Sequence, residues 1–201
     1  LAAITDPERV GELLRAIDSF QGSFTVQCAL RFAPLVFVRP GELRKAQWDD
    51  IDLKAKEWRY TVSKTKSEHI VPLSSQAIDI LREIYPLTGS GLFVFPSAWG
   101  KDRPMSDNAI LSALRRMEIP KDEMTGHGFR AMARTILDEV LEFPQHLIEH
   151  QLAHAVRDPN GRAYNRTSHL PQRRKMMQAW ADYLEKLKAG GQVLSLKRKT
   201  K

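Results

Sequence analysis

At 201 residues, with 42% hydrophobic and 27% charged side chains, the chain fits one globular domain that buries a core without covalent staples. No apolar run is long enough to span a bilayer and no signal-peptide pattern opens the chain, which argues against a membrane partner. The lone cysteine, Cys28, excludes an internal disulfide and points to a reducing cytoplasm. The formal net charge of +7 favours a polyanion, nucleic acid before membrane. Basic runs such as Arg115-Arg116, Arg173-Arg174-Lys175 and the tail Lys197, Arg198, Lys199, Lys201 contribute to it.

Thr5-Asp6-Pro7-Glu8 reads as a capping box opening a helix through Leu13, Leu14 and Ile17. Residues 24–38 are strongly apolar and long enough for a buried helix, with a kink or early end expected at Pro34. Pro40-Gly41-Glu42-Leu43 starts a short helical turn. Residues 48–53, 58–62 and 69–73 are β-prone runs separated by Lys-rich turns, and predict a small three-stranded antiparallel sheet. Helices are expected at 75–84, 107–117, 128–140, 144–154 and 172–187. The fold class is α+β, mainly helical, with the sheet at one edge. Residues 1–187 form the folded domain, and 188–201, opening on Lys188-Ala189-Gly190-Gly191, form a basic tail expected to be flexible. Because the chain begins at Leu1 and not Met, a longer parent protein is expected.

Several residues invite a functional reading, none of them convincing alone. His127-Gly-Phe-Arg130 stands where a loop becomes a helix. Its two side chains share a face, and the free N–H groups of the first turn suit a phosphate. An ordinary helix start with a solvated arginine explains the same four residues more simply. Arg39 emerges from the apolar stretch beside Glu42, so a structural ion pair and an anion site are equally good readings. Lys64 lies in the turn 63–68, where lysines are ordinarily solvated. Tyr164, in Gly161-Arg162-Ala163-Tyr164, serves equally well as a packing aromatic.

Taken together, in order and spacing, these residues resemble the catalytic domain of the tyrosine recombinases, in the branch of prophage and satellite-phage integrases. The likeness rests on Arg39 in Val-Arg-Pro-Gly-Glu-Leu, Lys64 before His-Ile-Val-Pro-Leu, and His127-Gly-Phe-Arg130. It continues with His154 in Gln-Leu-Ala-His and Tyr164 ten residues later, and includes Trp48-Asp-Asp-Ile-Asp. It runs from about residue 1 to 187. Many members carry Asp-Leu where this chain has Gly128-Phe129, Gly where it has Ala153, and a basic residue where it has Ala155. These departures leave the functional side chains in place.

The resemblance implies a tyrosine-recombinase catalytic fold and a site-specific recombinase for integration or excision of a prophage or mobile element. Tyr164 would attack a phosphodiester to form a 3′-phosphotyrosyl bond. Arg39 and Arg130 would hold the non-bridging oxygens, through a fork geometry lysine does not reproduce. Lys64 would protonate the leaving 5′ oxygen, His127 would accept the tyrosine proton, and His154 would hydrogen-bond the phosphate. The expected partners are double-stranded attachment sites and other protomers in a tetramer. An excisionase and a DNA-bending host factor are further candidates. No cofactor and no metal are expected, and the setting is the bacterial cytoplasm, on the nucleoid when DNA is bound.

A competing pattern is His146-Leu-Ile-Glu149-His150, which matches inverted zinc proteases. On one long helix His154 would add a third ligand, and the helix's C-terminal dipole would favour a cationic His154. This reading leaves Arg39, Lys64, Arg130 and Tyr164 without a role. A type IB topoisomerase shares the recombinase chemistry, and a non-enzymatic DNA-binding module needs only the basic surface. A covalent-adduct assay separates that module from an enzyme.

Overall fold

The computed structural model describes residues 2–62, 66–154 and 169–190. Lys64, Ala155, Tyr164 and the basic tail therefore lie outside the described residues. Helix α1 (Pro7–Ser19) opens on Asp6, whose carboxylate accepts from the Arg9 amide at 3.0 Å. The cap is thus Asp6 and not Thr5, and Pro7 takes the first helical position, where its missing N–H costs nothing. Helix α2 (Phe24–Val36) is the central rod, with Cys28, Leu30, Phe32 and Val36 buried, as its all-round apolar sequence requires. Burial pushes the Cys28 thiol up to about 11, which leaves it unreactive. The helix continues two residues beyond Pro34. Phe37 ends it in a left-handed conformation (φ 37°), and the Trp180 indole donates to the Pro34 carbonyl at 2.8 Å.

Helix α3 (Pro40–Arg44) follows at once. The first predicted strand is mostly a 3-10 turn, Trp48–Asp50, because the Trp48 indole turns inward to Thr88 (3.2 Å) and the Tyr85 ring. Only Ile51–Asp52 pairs, as β1. β2 (Glu57–Val62) and β3 (Ser67–Pro72) complete an antiparallel sheet in the order β1-β2-β3, with Tyr60 opposite His69 and Val62 opposite Ser67. Lys64 falls in the sequence between the paired residues Val62 and Ser67.

Helix α4 (Ser75–Thr88) runs past the expected end and through Pro86. A hairpin absent from the sequence reading follows, β4 (Pro96–Ser97) with β5 (Gly100–Pro104). The remaining helices are α5 (Ala109–Arg116), α6 (Gly128–Glu139), α7 (Gln145–Gln151) and α8 (Leu170–Lys188). Helix α8 docks on α1 so closely that a Cβ at Gly11 would lie 2.4 Å from the Leu187 carbonyl oxygen. Among the described residues no helix is long and apolar enough to cross a membrane.

Several arginines of the basic runs work inside the fold. Arg115 donates to the carbonyls of Ile119 and Met124 (2.8 Å to the latter), which shapes the loop leading to His127. Arg116 donates to the Gln21 carbonyl at 2.8 Å and lies over the Phe20 ring. Arg173 is fully buried, bonded to the Gln151 amide oxygen (3.0 and 2.8 Å) and to the Ile70 carbonyl, while Arg174 pairs with Glu57. Only Lys175 of that run is exposed.

His150 lies beside this clamp, 3% exposed, with its ring 5.2 Å from that of His169, which in turn packs on His146. Burial, reinforced by Arg173, His169 and His146, lowers its pKa to about 4 from 6.5. Between these values the unfolded chain binds a proton that the folded chain refuses, so stability falls as pH falls through this window. The full difference is roughly 3 kcal/mol. Denaturant melts between pH 7 and 4.5 should show this loss, and His150→Gln should flatten it. An unchanged slope in the variant would place the titration elsewhere.

Candidate active site

The site forms where α2, α3, α6 and α7 end or begin. Arg39 is the residue before α3, and its backbone N–H and guanidinium both bond the Glu42 carboxylate, at 3.2 and 3.1 Å. Glu42 is buried and takes a third bond from the Tyr60 hydroxyl of β2 at 2.9 Å. Burial and Glu42 hold Tyr60 well above its ordinary pKa, so it stays a phenol that donates. The structural reading of Arg39 is therefore correct as far as Glu42 goes. The pair uses one side-chain N–H among the described residues and leaves the rest of the fork open.

Arg130, on the first turn of α6, is the hub. Its guanidinium donates to the carbonyls of Phe37 (3.1 Å) and Leu152 (2.8 Å), the residues that end α2 and α7. Both carbonyls stand at the negative ends of helix dipoles, which suits a cation. The same guanidinium lies 3.1 Å from Nε2 of His154. These contacts among the described residues engage three of its five N–H groups. Burial, then Arg39, lowers the pKa of Arg130, a sign that the two guanidiniums share one site.

His127 caps α6 and is exposed. Partial desolvation, then Arg130 and Arg39, keeps its pKa below the ordinary histidine value, so the ring is neutral at physiological pH. The loop before it is fixed by Arg115 and by Thr125, whose hydroxyl accepts from the Gly128 amide at 3.2 Å. At Gly128 a Cβ would lie 2.6 Å from both the Ala2 carbonyl and the Met124 sulfur. That crowding leaves no room for a side chain at this position.

His154 departs from the expected single long helix. Helix α7 ends at Gln151, and Ala153 turns left-handed (φ 51°) to set His154 back toward α6. Glycine at that position would adopt the same turn without strain, so alanine costs about 1 kcal/mol. Glu149 bonds Nδ1 of His154 at 2.5 Å and accepts from Arg134 at 2.7 Å. The rings of His146 and His150 pack instead on His169. Among the described residues no group of three His, Cys, Asp or Glu side chains is placed to hold a metal ion.

Arg39, His127, Arg130 and His154 thus come together from three places in the chain. Residues 4–169 match the phage integrase family. The chain belongs to that family. It is 36% identical to prophage integrase IntA of Escherichia coli K12 over 191 residues, covering 94% of this chain and 46% of that protein. It is 39% identical to the integrase of Enterobacteria phage P4, covering 88% of this chain and 44% of that one. The chain spans about half the length of these curated relatives. Among solved structures, the lambda integrase catalytic core superposes with a TM-score of 0.58 at 20% identity, over 82% of this chain and 98% of that one. XerA recombinase gives 0.60 at 16% identity, over 89% and 58%. At these identities the likeness establishes a shared fold, the tyrosine-recombinase catalytic fold expected from the sequence. Tyr60, Arg115 and Glu149 are site residues that the sequence reading did not assign.

Proposed function

We propose that this chain is the catalytic domain of a site-specific DNA recombinase that cuts and rejoins strands through a 3′-phosphotyrosyl intermediate. The observation that carries this reading is the pair of guanidiniums, Arg39 and Arg130, beside a neutral His127 and a hydrogen-bonded His154. Two forks grip the non-bridging oxygens of one phosphate. Tyr164 attacks the phosphorus and the bond to the 5′ oxygen breaks. His127 takes the tyrosine proton and Lys64 supplies one to the leaving oxygen. The phosphoester bond is exchanged and not hydrolysed, so the 5′-hydroxyl reverses the step without ATP. Arginines and a lysine supply the positive charge, and neither cofactor nor metal takes part.

The substrate is double-stranded DNA at attachment sites, and the working assembly is a tetramer of protomers. Support comes from neighbours of the same fold, lambda integrase as a dimer bound to a core site and as a tetramer bound to a Holliday junction. An excisionase and a DNA-bending host protein complete the proposed partners, and the cytoplasm, at the bacterial nucleoid, is the proposed setting. Residues 1–187 are the catalytic domain and 188–201 a basic tail.

The test is a nicked suicide substrate incubated with the full-length protein in the presence of a chelator. A covalent protein–DNA adduct supports the reading, and cleavage that requires added zinc overturns it. Relaxation of supercoiled DNA without exchange between two sites would assign a topoisomerase instead. DNA binding by the 201-residue chain alone is expected to be weak, with log K falling linearly with log salt. The slope should be shallower than the net charge suggests, because Arg115, Arg116, Arg173 and Arg174 are engaged internally. Salt titration measures this directly, and a flat titration would remove DNA as the polyanion.

A further inference from the structure

We propose that Glu149 is a positioning residue that fixes the proton of His154 on Nδ1 and turns Nε2 toward Arg130, a role that rests on the catalytic reading above. His154 stands past the end of α7, so the helix does not orient its ring. Glu149 does, with one carboxylate oxygen 2.5 Å from Nδ1 and the other 2.7 Å from Nε of Arg134. Partial burial opposes its ionisation, yet the bonds from Arg134 and His154 keep Glu149 below the usual carboxylate pKa.

A carboxylate only accepts, so Nδ1 must carry a proton. In the neutral ring Nε2 is then an acceptor, matched to the Arg130 N–H at 3.1 Å. Arg134, Glu149, His154 and Arg130 form one chain in which every donor meets an acceptor. The opposite tautomer would set a lone pair against the carboxylate and an N–H against an N–H. The sequence pattern His146-Leu-Ile-Glu149-His150 thus has a use for its glutamate other than zinc chemistry.

Glu149→Gln tests this with the volume preserved. Its amide has one oxygen and one NH2, and Arg134 claims the oxygen. The NH2 then faces Nδ1 and drives the proton to Nε2. In protein labelled with 15N at histidine, the wild-type His154 should show the Nδ1–H tautomer and the variant the Nε2–H form. Cleavage of the suicide substrate by the full-length variant should slow by about ten- to a hundredfold, the usual scale for losing the partner of a working histidine, with DNA affinity unchanged. Adding Arg134→Ala frees the amide to turn its oxygen toward Nδ1, and should recover part of the rate. A purely structural Glu149 predicts neither the tautomer change nor the rescue.

Wild-type cleavage, a slow His154→Ala and a Glu149→Gln with unaltered rate and tautomer would refute the positioning role while the catalytic reading stands. A wild-type protein that forms no adduct, or a His154→Ala that cleaves normally, would overturn the catalytic reading and this role with it.

Discussion

Tyr164→Phe in the full-length protein is expected to abolish the covalent adduct while DNA binding and folding survive, since only one hydroxyl is removed. On a nicked suicide substrate the 5′-hydroxyl fragment diffuses away and the reverse step stalls, so wild-type adduct accumulates and its absence is unambiguous. The informative control is Tyr60→Phe. Tyr60 bonds the carboxylate that also holds Arg39, but burial and that bond to Glu42 keep it a protonated donor, unfit as a nucleophile. Tyr183 is also buried and held above its ordinary pKa, and Tyr85 packs on Trp48. Each of these three variants should retain the adduct. A protease-sensitive protein–DNA band from Tyr164→Phe would show the assignment to be wrong, and mass spectrometry of the adduct peptide would name the true nucleophile.

Arg130→Lys should cost cleavage at least about a hundredfold, comparable to losing a donor from an oxyanion hole, despite keeping the charge. The guanidinium spans acceptors on two helix ends and a histidine, Phe37, Leu152 and His154, while presenting further N–H groups. An ammonium concentrates three donors at one atom and does not cover that span. The lysine variant should therefore lose both the grip on phosphate and the alignment of His154. Single-turnover cleavage rates measured at saturating DNA separate this loss from weakened binding. Activity within tenfold of wild type would overturn the bidentate role.

The parts of this fold that follow from local periodicity were readable from sequence. Helices α1, α5, α6 and α8 appear where apolar spacing and caps put them, and the second and third β-prone runs pair as β2 and β3. Proline misled where tertiary packing supplied what the helix lost. α2 passes Pro34, whose carbonyl takes the Trp180 indole, and α4 passes Pro86. The hairpin 96–104 has exposed residues along β5 and no alternation to reveal it. At the site, Arg39, His127, Arg130 and His154 stood out only through a family resemblance, since no periodicity or local pattern singles them out. Glu149 and Tyr60 did not, since they act through contacts formed only after α7 and β2 reach the arginines. The basic runs misled in the other direction. Whether an arginine faces DNA or a carbonyl is decided by packing that no charge count contains.

The clamp of Arg173 on Gln151 also fastens α7 to α8. The end of α7 and the first turn of α8 are held with these two side chains 2.8 Å apart. Tyr164 stands five residues before His169, which limits it to about 18 Å from that residue whatever path the backbone takes. A substitution at Gln151 or Arg173 would therefore disturb both ends of the segment that carries Tyr164.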